Sequence, residues 1–100
     1  MILDKYLDDI YLKLVYDNYE DYYLKSLDEE NFDKVYNLLV DKKITCIEDL
    51  ILYYIEAFDI DYEYMAKALD NIDDNFNELL HQDLTNFESV IKDALKYSEI

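Results

Sequence analysis

The side chains best suited to covalent or metal chemistry are scarce: one cysteine, Cys46, and one histidine, His81, in 100 residues. A nucleophile needs a base within hydrogen-bond reach and a third group to orient it. These two fall on different expected helices. Cys46 stands at an expected first helical turn, where the dipole lowers a thiol pKa, while Glu48 and Asp49 beside it push the other way. His81 reads as the C-terminal residue of a helix rather than as a base. Two such ligands cannot make a zinc site. Asp59, Asp61, Glu63 and Asp70 have the spacing of oxygen ligands in a calcium-binding loop, but Tyr64 stands where the sharp turn needs glycine, and Asp70 replaces the longer bidentate Glu. That spacing reads as incidental. The chain contains no glycine, so a phosphate-cradling loop is excluded too. No metal or cofactor is expected, and the chain reads as non-enzymatic.

Charge and tyrosine remain. There are 25 acidic residues against nine basic ones, all lysine, for a formal charge of −16. Such a field repels nucleic acid and anionic membrane surfaces and attracts basic proteins. From Glu56 to Glu88 there are ten carboxylates and one lysine, Lys67. On helices, residues three and four apart lie ~5–6 Å from each other, so rows of acids could match the charge density of a phosphate backbone, one charge per ~3.4 Å of rise per strand. Asp70, Asp73, Asp74, Glu78 and Asp83 are the candidates for that face. Twelve tyrosines exceed what a core of this size needs. Tyr19, Tyr22, Tyr23, Tyr62 and Tyr64 stand beside acids, Asp61 and Glu63 among them, and each pairing of ring and carboxylate suits a Lys or Arg.

These features predict a small acidic protein that inhibits or neutralises a basic, nucleic-acid-processing protein by imitating its ligand. Phage anti-defence inhibitors and the immunity proteins of nuclease toxins exploit the same physics, although no motif in this chain matches such a family. Direct nucleic-acid binding and membrane binding are not expected, and the chain would act as a monomer or homodimer. The alternative is a helical adaptor or oligomerisation module whose charge only solubilises it, with Leu52 and Tyr53 as interface residues. Crowded carboxylates would also raise one another's pKa values, so that mild acidification or added salt stabilises the fold.

The elements follow from periodicity. Without Gly or Pro the chain lacks the usual hairpin residues, and a single all-α domain of about five helices is expected. AT-rich codons account for part of this composition. The longest apolar run, Leu50 to Ile55, is far shorter than the ~20 residues of a membrane span. The start of the chain lacks the basic and apolar regions of a signal peptide, and one cysteine precludes an internal disulfide, so the chain reads as cytosolic. Apolar spacing predicts a first helix over residues 3–16, with Leu3, Tyr6, Leu7, Ile10, Tyr11, Leu14 and Val15 as its core stripe. A second runs from Asp28 to about 41–43, with Ser26 or Asp28 as its cap, and Leu24 and Leu27 turn to the core between them. A central helix over residues 46–58 is apolar round most of its circumference, which calls for neighbours on every side. A fourth helix begins at Asp61 and breaks in the poor helix formers of residues 70–75. A fifth carries Phe87, Val90, Ile91, Ala94 and Leu95 inward. Ser26 with Glu29, Thr45 with Glu48, and Thr85 with Glu88 match the capping-box spacing at three of these starts.

Overall fold

The computed structural model describes residues 2–99. It is all-α, with eight helices and no strand among those residues. They are α1 (Leu3–Tyr6), α2 (Asp9–Asn18), α3 (Asp21–Lys25), α4 (Glu29–Asp41), α5 (Ile47–Tyr53), α6 (Tyr62–Leu69), α7 (Phe76–Gln82) and α8 (Phe87–Ser98). Two 3-10 turns, Ile55–Asp59 and Leu84–Asn86, link α5 to α6 and α7 to α8. The buried side chains form one apolar cluster.

Two long helices expected from periodicity are each divided. The 3–16 helix stops at Leu7, which is extended, and restarts where the Asp8 carboxylate accepts the Tyr11 amide at 3.0 Å. The turn keeps Leu3, Leu7 and Val15 buried but leaves Ile10 73% exposed. A local cap thus overrides an unbroken stripe. The 46–58 segment divides at Tyr54, whose backbone leaves the helical region at φ −137°. A run of Tyr, Tyr and Ile has modest helix propensity. The break also lets Ile55, Ala57 and Phe58 enter the core in a direction different from that of Leu50, Ile51 and Leu52. This segment is therefore not one central helix. The packing instead places α6 between α4 and α8, while α5 lies against α2 and the Ile55–Asp59 turn lies against α4.

Rings connect the N-terminal half of the core. Tyr6 stacks on Tyr36 at 3.8 Å and on Phe32 at 6.1 Å, and Phe32 stacks on Phe58 at 4.7 Å. Each such pair adds ~0.5–1.5 kcal/mol beyond the burial of its area. One polar side chain joins three segments. Asn31 donates to the carbonyls of Phe58 and Ile60 at 3.0 and 2.7 Å, and accepts the Tyr62 amide at 2.9 Å. It holds α4 to the turn and to the start of α6.

The expected caps are used differently. Asp28 and Asp61 do cap α4 and α6. None of the three capping boxes closes. Ser26 binds the Tyr23 carbonyl, Thr45 faces α7, and Thr85 donates to Asp83. Glu29 and Glu88 make tertiary contacts instead, with the Ile2 amide and the Tyr54 hydroxyl.

The C-terminus of α4 carries a strained residue. Lys43 has φ 63°, and its amide bonds the Val40 carbonyl while that of Ile44 reaches back to Leu39. This is the Schellman ending that glycine normally serves, built in a chain without glycine. A left-handed non-glycine residue costs ~1–2 kcal/mol. Lys43→Gly is therefore expected to stabilise the protein by about 1 kcal/mol, partly offset by unfolded-state entropy. Chemical denaturation checks this, and a destabilised variant would refute it.

Candidate protein-binding site

The acidic residues singled out above do not form one helical row. Because α6 ends at Leu69, Asp70, Asp73 and Asp74 lie in the connection to α7, and only Glu78 is on a helix. That connection folds back toward the end of α4. Asp41, Asp73, Asp74 and Glu78 line an open cleft of about 690 Å³, together with Lys42 and Lys43. The poverty of lysine along residues 56–88 is thus corrected by tertiary structure, which brings the two lysines that follow α4 to the same place. Lys42 pairs with Asp70 at 3.1 Å, so Asp70 is partly neutralised. The carboxylates of Asp73, Asp74 and Glu78 are exposed.

Asp83 stands apart from that cleft, at the end of α7. Its carboxylate accepts from the Thr85 hydroxyl and amide, and these bonds hold its pKa below the ordinary value. The shift is opposite in sign to that expected from crowding. A depressed carboxyl contributes stability above its unfolded pKa that is lost as pH falls. Asp61 is occupied as the cap of α6, which starts at Tyr62 and so runs through the loop that a calcium site would need. Among the described residues no group of three His, Cys, Asp or Glu is placed to hold a metal.

The tyrosines divide in the same way. Tyr19 donates to the Leu52 carbonyl at 2.9 Å and stacks on Tyr23 at 6.1 Å, and burial raises both phenol pKa values. These two serve the packing of α2 and α3. Tyr22 is 73% exposed. Tyr62 already has a cation over its ring, Lys34 at 4.3 Å, and Tyr64 is half-buried against the core. The carboxylates of Glu56 and Asp59 contribute to the Tyr23 shift, which places this group beside the Ile55–Asp59 turn. That turn packs on α4 near Asn31, whereas the acidic cleft lies at the other end of α4, a helix of 13 residues or ~20 Å. The cleft acids Asp73, Asp74 and Glu78 thus lie at the opposite end of α4 from the Tyr19–Tyr23 pair, while Asp61 and Glu63 stay beside Tyr62 and Tyr64 at the start of α6.

Cys46 is buried, and burial pushes its thiol pKa up. The expected influence of the dipole does not prevail, because the N-terminal turn of α5 is packed against the core. His81 lies in the last turn of α7, with Nε2 2.7 Å from the Thr45 hydroxyl. Asn77 accepts the Thr45 amide at 3.0 Å. The contacts of Thr45 with His81 and Asn77 join the α4–α5 connection to α7.

Sequence reasoning missed two phenols that tie helices together. Tyr11 donates to Asp49 at 2.7 Å, joining α2 to α5, and Tyr54 donates to Glu88 at 2.8 Å, joining the break after α5 to α8. The bond to Asp49 is the main influence on Tyr11 and burial is the main influence on Tyr54; each phenol is raised to about 12. Unfolded phenols ionise near 10. Below that pH both states hold the proton and the contribution to stability is complete. Between about 10 and 12 the unfolded chain loses its protons first, so stability falls as pH rises. A Tyr11→Phe/Tyr54→Phe protein should lose stability less steeply across this window in urea titrations. An unchanged slope would mean that these phenols do not drive the alkaline transition.

No helix among the described residues is long and apolar enough to cross a membrane. In comparisons with known proteins, no family model matches the chain, and no curated protein or solved structure matches it significantly.

Proposed function

We propose that the chain is a non-catalytic binding protein that captures a basic, nucleic-acid-processing protein and blocks its nucleic-acid cleft. The observation that carries this reading is the grouping of Asp73, Asp74 and Glu78, exposed side by side around the cleft at the end of α4. The formal charge of −16 supports it, as does the pairing of Lys5, Lys13, Lys25, Lys34 and Lys42 with carboxylates of the same chain. These lysines are committed internally, and the uncompensated acids supply the long-range field that steers a basic partner.

The mimicry differs in detail from a helical row of carboxylates. A concave cleft that holds Asp73, Asp74 and Glu78 suits a protruding Lys or Arg loop better than a flat basic surface, which Lys42 and Lys43 would repel. The test is affinity capture with the purified chain from its native host's lysate, eluted in salt steps and challenged with duplex DNA or RNA. The expected result is a basic nucleic-acid-binding protein that leaves at moderate salt, is displaced by nucleic acid, and is not retained by an Asp73→Lys/Asp74→Lys/Glu78→Lys protein. A neutral partner held through high salt, and retained equally by that variant, would overturn the reading.

The adaptor alternative loses one of its two residues. Leu52 is only 7% exposed and belongs to the core, whereas Tyr53 is 63% exposed.

A further inference from the structure

Tyr53 is one wall of a surface feature that the acidic reading does not use. Tyr53 and Tyr54 meet Leu84 and Thr85 in a depression of about 320 Å³. Tyr54 is shared with a second depression of about 470 Å³, where it meets Ile91 and Leu95 of α8. Tyr54 lines both, so the two depressions adjoin, and together they make one grooved strip of surface. On α8 the groove uses Glu88, Ile91, Lys92 and Leu95, spaced as one helical face. Ser89, Val90 and Asp93 line a separate cavity shared with the α6–α7 connection, so at α8 the groove and that cavity occupy opposite flanks.

Apolar and acidic side chains line the strip together. Leu95 in one depression is 48% exposed, and Tyr53 in the other is 63% exposed. Glu56 and Glu88 line the groove, with Lys92 as the cation on its margin. Asp83 lies close enough to act on the Tyr54 phenol. The Tyr54 hydroxyl is held by Glu88 at 2.8 Å, which fixes the ring as a wall.

We propose that this groove docks an amphipathic helix of a partner protein, one with leucine-like side chains along one face and Lys or Arg beside them. The two depressions, about 470 and 320 Å³, each have room for a large apolar side chain, and helix-in-groove recognition seats such side chains side by side. Charge selects the occupant. Glu56, Glu88 and the nearby Asp83 outnumber Lys92, so the strip complements basic flanks and repels acidic ones. A second copy of this chain is a poor occupant: meeting face to face would set Glu56 and Glu88 against their own copies, and Ile10 and Leu14 sit among Asp8, Asp9 and Asp17 on a molecule of charge −16. This assignment is independent of the acidic cleft and stands or falls separately.

The test uses the full chain and a synthetic amphipathic helix of Leu and Lys, with two control peptides in which Ser replaces Leu or Glu replaces Lys. Affinity is read by fluorescence anisotropy and location by amide chemical shifts. The Leu/Lys peptide should bind more tightly than either control and shift Tyr53, Tyr54, Leu84, Ile91 and Leu95. Tyr53→Ser/Leu95→Ser should weaken it at least about tenfold, through lost apolar contact. These side chains are exposed, so the variant should fold, and its thermal melt checks that it does. Ile10→Ser/Leu14→Ser and Asp73→Asn/Asp74→Asn/Glu78→Gln should each change affinity less than about threefold. The proposal is overturned if the Ser-for-Leu peptide binds equally well, if the shifts cluster around residues 73–78, or if the folded groove variant keeps full affinity. None of these results bears on whether the cleft captures a basic protein.

Discussion

Asn31→Ala is expected to lower the unfolding free energy by about 3 kcal/mol, leaving three backbone groups of the 58–62 connection without their partner at roughly 1 kcal/mol each. For a chain of this length that corresponds to a fall in Tm of roughly 12–24 °C. Asn31→Asp makes the test sharper. A carboxylate can still accept the Tyr62 amide but turns an oxygen toward the carbonyls of Phe58 and Ile60, where donors are needed. Repulsion there disfavours the ionised acid in the fold and raises its folded pKa. Such a group is least harmful below its unfolded pKa and becomes more destabilising as pH rises. The deficit of Asn31→Asp relative to the native protein should therefore shrink between pH 7 and pH 4, while that of Asn31→Ala should change little. Equal pH responses from the two variants would show that Asn31 is not the junction of α4, the turn and α6.

Reversing the charges of Asp73, Asp74 and Glu78 is expected to slow capture of the basic partner by about tenfold or more at low salt, since electrostatic steering accelerates association by ~10–10³. The effect should lie mainly in the association rate, as expected for exposed charges at the edge of an interface. Rates of the native and reversed proteins should converge near 1 M salt, where the screening length is ~3 Å. Asp70 is better left in place, because its reversal would break the Lys42 pair and set two lysines against each other. Stopped-flow association against the captured partner measures this. Equal rates at low salt would mean that the cleft does not steer the partner, whatever holds the complex afterwards.

The all-α class, the caps Asp28 and Asp61, the break across residues 70–75 and most of the buried set were legible in the amino-acid sequence. Each rests on interactions within a few residues: helical spacing, an Asp accepting an amide two or three positions on, a run of poor helix formers. The expectations that changed all involved a choice between local and distant partners. Periodicity marked Ile10 and Leu14 as apolar but could not show that Asp8 would turn the chain and leave them in water. Capping-box spacing at Ser26, Thr45 and Thr85 was present, yet Glu29 and Glu88 took partners 27 and 34 residues away. Asn31 looked like an ordinary polar helix residue, since nothing near it in sequence announces two carbonyls and an amide some thirty positions on.

The candidate site divides along the same line. Composition by itself determined that this protein is strongly acidic, poor in chemistry-bearing side chains and rich in tyrosine. Only the tertiary structure decided that Asp73, Asp74 and Glu78 share a cleft with the two lysines that follow α4, that Asp83 and the tyrosines face elsewhere, and that Tyr53 and Leu95 line adjoining depressions on either side of Tyr54. Net charge is a sum over residues and survives any rearrangement of the chain. A surface is a set of neighbours, and here the neighbours come from segments roughly 30–40 positions apart.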